Sequence, residues 1–201
     1  MKLLGSSKSP YVFKAMVMIV EKGITCDFEA AGASSAEVAN ANPLSKVPVL
    51  IRDDGKGLYD SSVIIDYLDG VAPSPKLIPD AFEDRIEIRR WEALGNGIMD
   101  AAVGINHAER LPAADQDAHK AKQQKKIDAG LVAMAKDLGD REFCHGNGFT
   151  LADITCGCAL VCLDIRRADM NWRQTHPALA RHAERMASRG SFKTAGRSDR
   201  Q

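Results

Sequence analysis

The stretch from Asn42 to Leu68, NPLSKVPVLIRDDGKGLYDSSVIIDYL, decides how the first part of this chain folds. A loop leads into a short apolar strand at 49–51, and a turn separates that strand from a second short one at 57–59. The apolar positions after Asp60 recur at helical spacing, so the stretch is predicted to end in a helix. Because proline donates no ladder hydrogen bond, Pro48 belongs at the first residue of a strand or at a sheet edge.

The same stretch carries groups that suit a small peptide ligand. A cis bond between Val47 and Pro48 would turn the backbone N–H and C=O of Val47 outward, where an extended ligand could pair with them. Ser61 lies where the helix begins, so its hydroxyl and the nearby backbone N–H groups form a site for a carboxylate. Asp60 could accept a hydrogen bond from an ammonium group. The pattern predicts a peptide with an amine and a carboxylate at one end.

These residues resemble the glutathione-binding half of a glutathione S-transferase. That family carries an N-P-x-x-K-[VI]-P-x-L loop with a cis proline, and an acidic residue followed by serine at the start of the third helix. Here NPLSKVPVL and the Asp60-Ser61 pair match that pattern. The resemblance implies that glutathione is a co-substrate, bound by Lys46, Val47, Pro48, Asp60 and Ser61. The alternative is an ordinary strand and helix of another α/β domain, since short motifs recur by accident.

Length and composition are those of a soluble globular protein. The chain has 201 residues, of which 45% are hydrophobic and 27% charged. Its 27 basic residues equal its 27 acidic ones, which argues against a nucleic-acid binder. We find no signal peptide and no apolar run long enough to cross a bilayer, so no membrane partner is expected. Five cysteines, an odd number, suggest reduced thiols in a cytoplasmic protein.

The order of predicted elements gives two domains. Residues 1–72 read as β-α-β-α-β-β-α, which is the thioredoxin-like α/β arrangement of the resembled family. The segment 71–80, VAPSPKLIPD, contains three prolines and is predicted to be an inter-domain linker. No convincing strand follows, so 80–201 is predicted to be an all-helical C-terminal domain.

Several helices are predicted in that second domain. Long helical patterns cover 80–111 and 113–138. The sequence Thr150-Leu151-Ala152-Asp153 has the form of a capping box at the start of an apolar helix, and Thr-x-Ala-Asp at that position is a second signature of the resembled family. A final helix at Pro177–Ser188 precedes a polar tail that we expect to be loose.

The catalytic group is sought in the first strand-to-helix turn, which in the resembled family presents a Tyr, Ser or Cys to the glutathione sulfur. Ser9 directly precedes the helix-opening Pro10, as does the serine in the Ser-Pro-Phe turn of plant tau-like members. A hydroxyl at a helix N-terminus can donate to a thiolate, and the helix dipole adds to this effect, so the thiol pKa would fall from about 8–9 toward neutrality. Ser9 is the predicted catalytic residue. Ser6 and Ser7 are alternatives because turn registers differ, and Ser9 would also fit a plain N-cap.

Two departures from the family patterns bear on the chemistry. The turn contains no cysteine, which disfavours thiol-disulfide exchange and reductive deglutathionylation. Position 14 is lysine where many serine-type members carry arginine, which leaves the class of transferase open.

Two further predictions concern the second substrate and a possible metal site. The resemblance places a small hydrophobic electrophile in the crevice between the domains, with a wall formed by Tyr11, Met99, Val103, Asn106 and His107. Cys158 and Cys162 stand one helical turn apart, a spacing that could ligate a metal. Because no histidine or carboxylate pattern completes that site, no metal is expected.

Taken together, the resemblance implies a cytoplasmic, homodimeric glutathione transferase that serves detoxification by adding the glutathione thiolate to an electrophile. A second hypothesis is a non-enzymatic protein of the same fold that binds glutathione, another ligand or a protein partner. A third is glutathione-dependent peroxide reduction, which would use the same thiolate with a different acceptor.

Overall fold

The computed structural model describes residues 1–196, and they form two compact units. The first comprises 1–78 together with 188–196, and the second comprises 79–187. A small mixed sheet with helices occupies the first unit, whereas the described part of the second is helical. The predicted fold class, a thioredoxin-like α/β domain followed by an all-α domain, is confirmed.

The sheet of the first unit has the strand order β2-β1-β3-β4. Its strands are short: β1 is Lys2–Gly5, β2 is Asp27–Ala30, β3 is Val49–Ile51 and β4 is Gly57–Leu58. β1 pairs in parallel with β2 and antiparallel with β3, and β3 pairs antiparallel with β4.

The antiparallel pairings bring three chain segments to one edge of the sheet. Leu4, near the end of β1, pairs with Val49 at the start of β3. Leu58, at the end of β4, pairs with Leu50. The turn after β1, the segment before β3 and the segment after β4 therefore lie at the same edge.

Three helices in the first unit connect or follow these strands: α1 is Pro10–Glu21, α2 is Ala36–Ala41 and α3 is Ser61–Val71. α1 begins as its sequence predicts, with Ser9 as N-cap and proline at the first helical position. It packs closely on β1 because Gly5 has no side chain: a Cβ there would lie 2.4 Å from a methyl carbon of Val12.

A buried ion pair links the C-terminal ends of α1 and α3 to residues 75–78, which follow α3. Lys22 Nζ lies 2.8 Å from Asp69 Oδ1, and both side chains are almost completely buried. The same ammonium group donates to the carbonyl of Pro75 at 2.5 Å. The Asp69 carboxylate also accepts the backbone N–H groups of Leu77 and Ile78, at 3.0 and 3.2 Å. The second half of the predicted linker is therefore fixed to the first unit, and its residues 77 and 78 are buried.

The prediction of a loose tail was wrong over 190–195, which form helix α9, Gly190–Ala195. Phe192 and Ala195 are buried, and the ring of Phe192 meets that of Phe13 edge-on with centroids 5.7 Å apart. Two apolar residues in a six-residue helix give too little periodicity to be recognised in the sequence. The first unit thus includes a C-terminal helix that the sequence pattern assigns to the second domain. The last residues of the tail, 197–201, lie outside the described residues.

The second unit contains α4 to α8 and a single 3-10 turn at Ala108–Arg110. The helices are α4 Phe82–Asn106, α5 Ala113–Leu138, α6 Leu151–Arg166, α7 Trp172–Thr175 and α8 Pro177–Ser188. α6 is buried over most of its length and packs on α4. Gly95 permits that approach, since a Cβ there would lie 2.6 Å from the Thr155 methyl group. Within 1–196, no helix combines the length and apolar composition needed to span a bilayer.

The predicted capping box of α6 is present. The Asp153 carboxylate accepts the backbone N–H of Thr150 at 2.9 Å and its hydroxyl at 3.1 Å. The other oxygen of Asp153 accepts the backbone N–H of Cys144 at 2.8 Å. One buried side chain therefore starts the helix and also anchors the loop that precedes it.

Replacing Asp69 with alanine should strongly destabilise the first unit. The variant leaves the Lys22 ammonium buried without its carboxylate and removes the acceptor of two backbone N–H groups, a loss of about 3–5 kcal/mol. Urea unfolding and hydrogen exchange at Leu77 and Ile78 would measure it. Val63→Ala, at an exposed position of the same helix, is the control and should change stability by about 0.5 kcal/mol or less. Equal protection of both amides in the two variants would contradict this account.

The attachment of α9 should depend on pH. Burial of Glu21 favours its neutral form, but the Arg189 guanidinium and the Ser191 hydroxyl, both bonded to its carboxylate, outweigh burial and lower the Glu21 pKa. The contribution of this contact is present above about pH 4.3, the ordinary glutamate pKa, and is lost as the pH falls through the lower folded-state value. Amide chemical shifts of α9 should report this release. Glu21→Gln should abolish that pH dependence, and an unchanged acid transition in the variant would refute the assignment.

Candidate functional site

The candidate site is built at the sheet edge where the three segments meet. The turn after β1 carries Ser6, Ser7 and Ser9, the loop before β3 carries Lys46 to Pro48, and the start of α3 carries Asp60 and Ser61. The register of the strands therefore brings every residue predicted for glutathione binding, and the predicted catalytic serine, to one edge of one unit.

The loop before β3 is held by Asn42, a residue that sequence reasoning did not single out. Asn42 is buried at the C-terminus of α2, and its amide nitrogen donates to the carbonyl of Lys46 at 2.9 Å. Its amide oxygen accepts the N–H of Leu44 at 3.0 Å, and Ser45 between them has a positive φ of 48°. An asparagine directly after a short helix and before a proline was the available signal. Its side chain spans the loop and fixes the approach to Val47.

The backbone of Val47 is open to a ligand. The Val47–Pro48 bond is cis, as predicted. Within the described chain, no hydrogen bond engages the N–H or the C=O of Val47, although β3 begins only two residues later. A free donor and a free acceptor next to a strand are what an extended peptide needs to extend the sheet. Lys46 beside it is exposed.

The start of α3 offers an anion site. Asp60 is its N-cap, and one carboxylate oxygen accepts the N–H of Ser62 at 3.0 Å. Ser61, the first helical residue, is only 4% exposed. Its hydroxyl has no partner among residues 1–196 and is not enclosed by protein, so it can donate to a ligand at the positive end of an 11-residue helix. The Tyr59–Asp60 bond is also cis, which nothing in the sequence indicated.

Ser9 combines its capping role with a free donor. Its oxygen accepts the N–H of Val12 at 3.4 Å, and its own N–H donates to the Ser6 carbonyl at 2.9 Å. A hydroxyl can accept and donate at once, so the Ser9 proton remains available to an anion in front of the helix. Ser6 and Ser7 lie in the preceding turn, where the Ser6 oxygen accepts the N–H of Lys8 at 3.3 Å. The N-cap and thiolate-binding roles of Ser9 are compatible.

The residues predicted for the second substrate belong to both units. Tyr11 is half-buried on α1 of the first unit. On α4 of the second unit, Val103 is half-buried and Asn106 exposed, and His107, the C-cap, is exposed as well. Met99 has no exposed surface, so it is a core residue rather than part of a solvent-facing wall.

The groups that could hold a metal differ from the pair considered in the sequence. Cys158 and Cys162 are buried, but neither belongs to a cluster of possible ligands within 1–196. The structure instead brings together Cys144, Cys156 and His182 in the second unit. They are far apart in sequence, so no local motif could have revealed them.

Comparison with known families gives matches in both halves of the chain. Residues 3–76 match the model described as "Glutathione S-transferase, N-terminal domain", and residues 117–185 match "Glutathione S-transferase, C-terminal domain". The first match contains all three segments of the candidate site. The second contains the capping box of α6.

Individual relatives match over nearly the whole chain. The chain is 35% identical to the uncharacterized GST-like protein YibF of Escherichia coli K12, over 96% of each chain. A glutathione S-transferase from Methylobacillus flagellatus KT, solved with GSH bound, has a TM-score of 0.92 and 45% identity, covering 96% of this chain and 98% of that one. A glutathione transferase family member from Pseudomonas fluorescens Pf-5, solved with S-(propanoic acid)-glutathione, has a TM-score of 0.82 and 33% identity, covering 97% and 98%.

Replacing Asn42 with alanine should loosen the loop that presents Val47. The substitution removes the partners of the Leu44 N–H and the Lys46 carbonyl, two partly buried hydrogen bonds that contribute about 0.5–1.5 kcal/mol each. Asn40→Ala is the matched control, because Asn40 is exposed on the same short helix. Thermal unfolding should separate the two variants, and amide exchange at Leu44 should accelerate only in Asn42→Ala. Equal effects would show that the Asn42 side chain does not hold the loop.

Proposed function

This chain belongs to the glutathione S-transferase family, and from that premise we propose that it conjugates the glutathione thiolate to a small hydrophobic electrophile. The observation that carries the proposal is the set of unpaired groups at the sheet edge. The Val47 backbone, the Ser61 hydroxyl and the Ser9 hydroxyl can each still form a hydrogen bond to a ligand.

Glutathione would bind as an added strand. Its backbone would pair with the N–H and C=O of Val47, with Pro48 keeping β3 from extending into that position. The carboxylate of its γ-glutamyl end would accept from the hydroxyl and the backbone N–H of Ser61. Its ammonium would donate to Asp60, of which one oxygen is engaged by the N-cap bond. Lys46, exposed beside Val47, would add a positive charge next to an anionic ligand.

The chemistry then rests on Ser9. Its hydroxyl would donate to the glutathione sulfur at the N-terminus of α1, where the helix dipole also favours an anion. Both effects lower the thiol pKa, so more of the ligand is the thiolate, which is the nucleophile. Ser6 and Ser7 stay alternatives for this contact.

The acceptor is proposed to be a small hydrophobic electrophile. The Pseudomonas relative was solved with S-(propanoic acid)-glutathione. The sulfur of that ligand is bonded to a second carbon, as in a conjugation product, which supports this reaction type. A cytoplasmic location, a homodimeric state and a role in detoxification belong to the same proposal.

The second candidate function is glutathione binding without turnover. It is favoured by one feature of the site: the proposed binding contacts at Val47, Asp60 and Ser61 are complete without Ser9. The two candidates therefore differ only in what happens at the sulfur.

Calorimetric titration of glutathione tests the binding half of the proposal. Ser61→Ala should weaken binding about ten- to hundredfold, because it removes a hydrogen bond to a charged group worth about 1.5–3 kcal/mol. Ser62→Ala is the matched control and should bind as the wild type does. If the wild-type chain does not bind glutathione, the transferase assignment fails.

The catalytic half of the proposal is tested by substitution of Ser9. Ser9→Ala should keep the affinity for glutathione but raise the pKa of the bound thiol, measured by thiolate absorbance, and lower kcat with a reactive aromatic halide. Ser6→Ala and Ser7→Ala should leave that pKa unchanged. A shift in one of those variants instead would move the role to that serine, and glutathione binding with no turnover of any electrophile would favour the non-enzymatic candidate.

A further inference from the structure

The second unit contains a buried cluster of three side chains able to bind a metal. Cys144 lies in the loop between α5 and α6, Cys156 lies within α6 and His182 within α8. All three are completely buried, and their ligand atoms lie within 4.8 Å of one another. The proposed reaction at the sheet edge uses none of them.

The cluster is held by the surrounding structure. The N–H of Cys144 donates to Asp153, the buried carboxylate that also caps α6. Arg185, on the same helix as His182, donates to the carbonyl of Glu142 in the loop at 2.8 Å. The loop that carries Cys144 is thus tied to α6 on one side and to α8 on the other, and the three donors come from fixed elements.

The separations suit a small cation. Metal–sulfur distances of about 2.3 Å and metal–nitrogen distances of about 2.0–2.1 Å place donor atoms about 3.5–4.0 Å apart in trigonal or tetrahedral sites. Cys144 Sγ lies 3.9 Å from His182 Nε2, which falls within that range. The thioether sulfur of Met134 lies 3.2 Å from Cys156 Sγ, closer than two donors to one metal ion stand, so a shift of a few tenths of an ångström would let it act as a fourth, weaker donor.

We propose that Cys144, Cys156 and His182, with Met134 as a weak fourth donor, bind a soft d10 cation, Zn(II) or Cu(I). Two thiolates and an imidazole suit both ions, and a thioether sulfur favours Cu(I). The site has no exposed atom of its own, as in structural metal sites, where all donors come from the protein. The inference is independent of glutathione and of the transferase reaction.

Binding requires a small change in protonation. Each thiol loses its proton to solvent as its sulfur takes the metal, with no oxidation of either partner. His182 must bind through Nε2 and carry its proton on Nδ1. Arg185 now lies 3.4 Å from Nδ1, a long contact that would be given up, whereas its 2.8 Å bond to Glu142 would remain. The guanidinium then stands close to a site that holds two thiolates and offsets their negative charge.

The test uses the full-length, tag-free protein, reduced and stripped of metal, without glutathione. Co(II) serves as the optical probe for Zn(II), and Cu(I) is delivered anaerobically from a bicinchoninate complex. We expect one equivalent bound, with thiolate-to-cobalt charge transfer in the near ultraviolet. Competition between Zn(II) and Cu(I) identifies the preferred ion. Cys156→Ser removes a ligand and should lower the affinity for metal at least about a hundredfold, which is the upper end of the loss when only a residue that orients a ligand is replaced.

Cys158→Ser is the matched control, since Cys158 is equally buried on the same helix but is outside the cluster. It should bind metal as the wild type does, and equal loss in the two variants would overturn the proposal. If Cys156→Ser does not fold, X-ray absorption of the loaded wild type decides: a shell of two or three sulfurs and one nitrogen supports the site, and a shell of light atoms alone refutes it. Failure of the wild type to retain any of the three ions also refutes it.

Discussion

The antiparallel pairing of β1 with β3 is the constraint on which the proposed site depends. It joins Leu4 to Val49, and so brings the end of one strand beside the start of the other. Val49 packs in one apolar cluster with Leu4, Ala31 and Val38, and because side chains alternate between the faces of a strand, a slip of one residue would turn it away from that cluster. This packing fixes the register, and the register positions Ser9, Val47 and Ser61.

Local features of the site could be predicted from the sequence. Ser9 before Pro10, the cis proline after Val47, and Asp60 with Ser61 at a helix start are each decided by residues within one turn or loop. The capping box of α6 is of the same kind. In these places, backbone propensity and hydrogen bonds between neighbouring residues favour one conformation, which does not depend on contacts with distant parts of the chain.

Features that depend on distant partners could not be found in this way. The role of Asn42 required knowing the path of the loop that it spans. Helix α9 is defined by Phe192 packing on Phe13, which is remote in sequence. The Cys144, Cys156 and His182 cluster combines a loop and two helices. The Cys158–Cys162 spacing, which sequence reasoning did consider, turned out to be two buried thiols on a core helix, since helical spacing alone does not bring a third ligand near.

The place of α9 in the first unit has a consequence for how the protein is made. The second unit is continuous in sequence from 79 to 187, whereas the first is interrupted by it and is completed only by residues from 188 onward. A ribosome releases the chain from its N-terminus, and continuous domains fold as they emerge. The helical unit therefore emerges as one continuous segment, whereas the unit that carries the sheet edge is complete only once the last helix has emerged. A product that terminates early at Ser188 would keep every residue of the proposed glutathione site and lack the helix that covers α1.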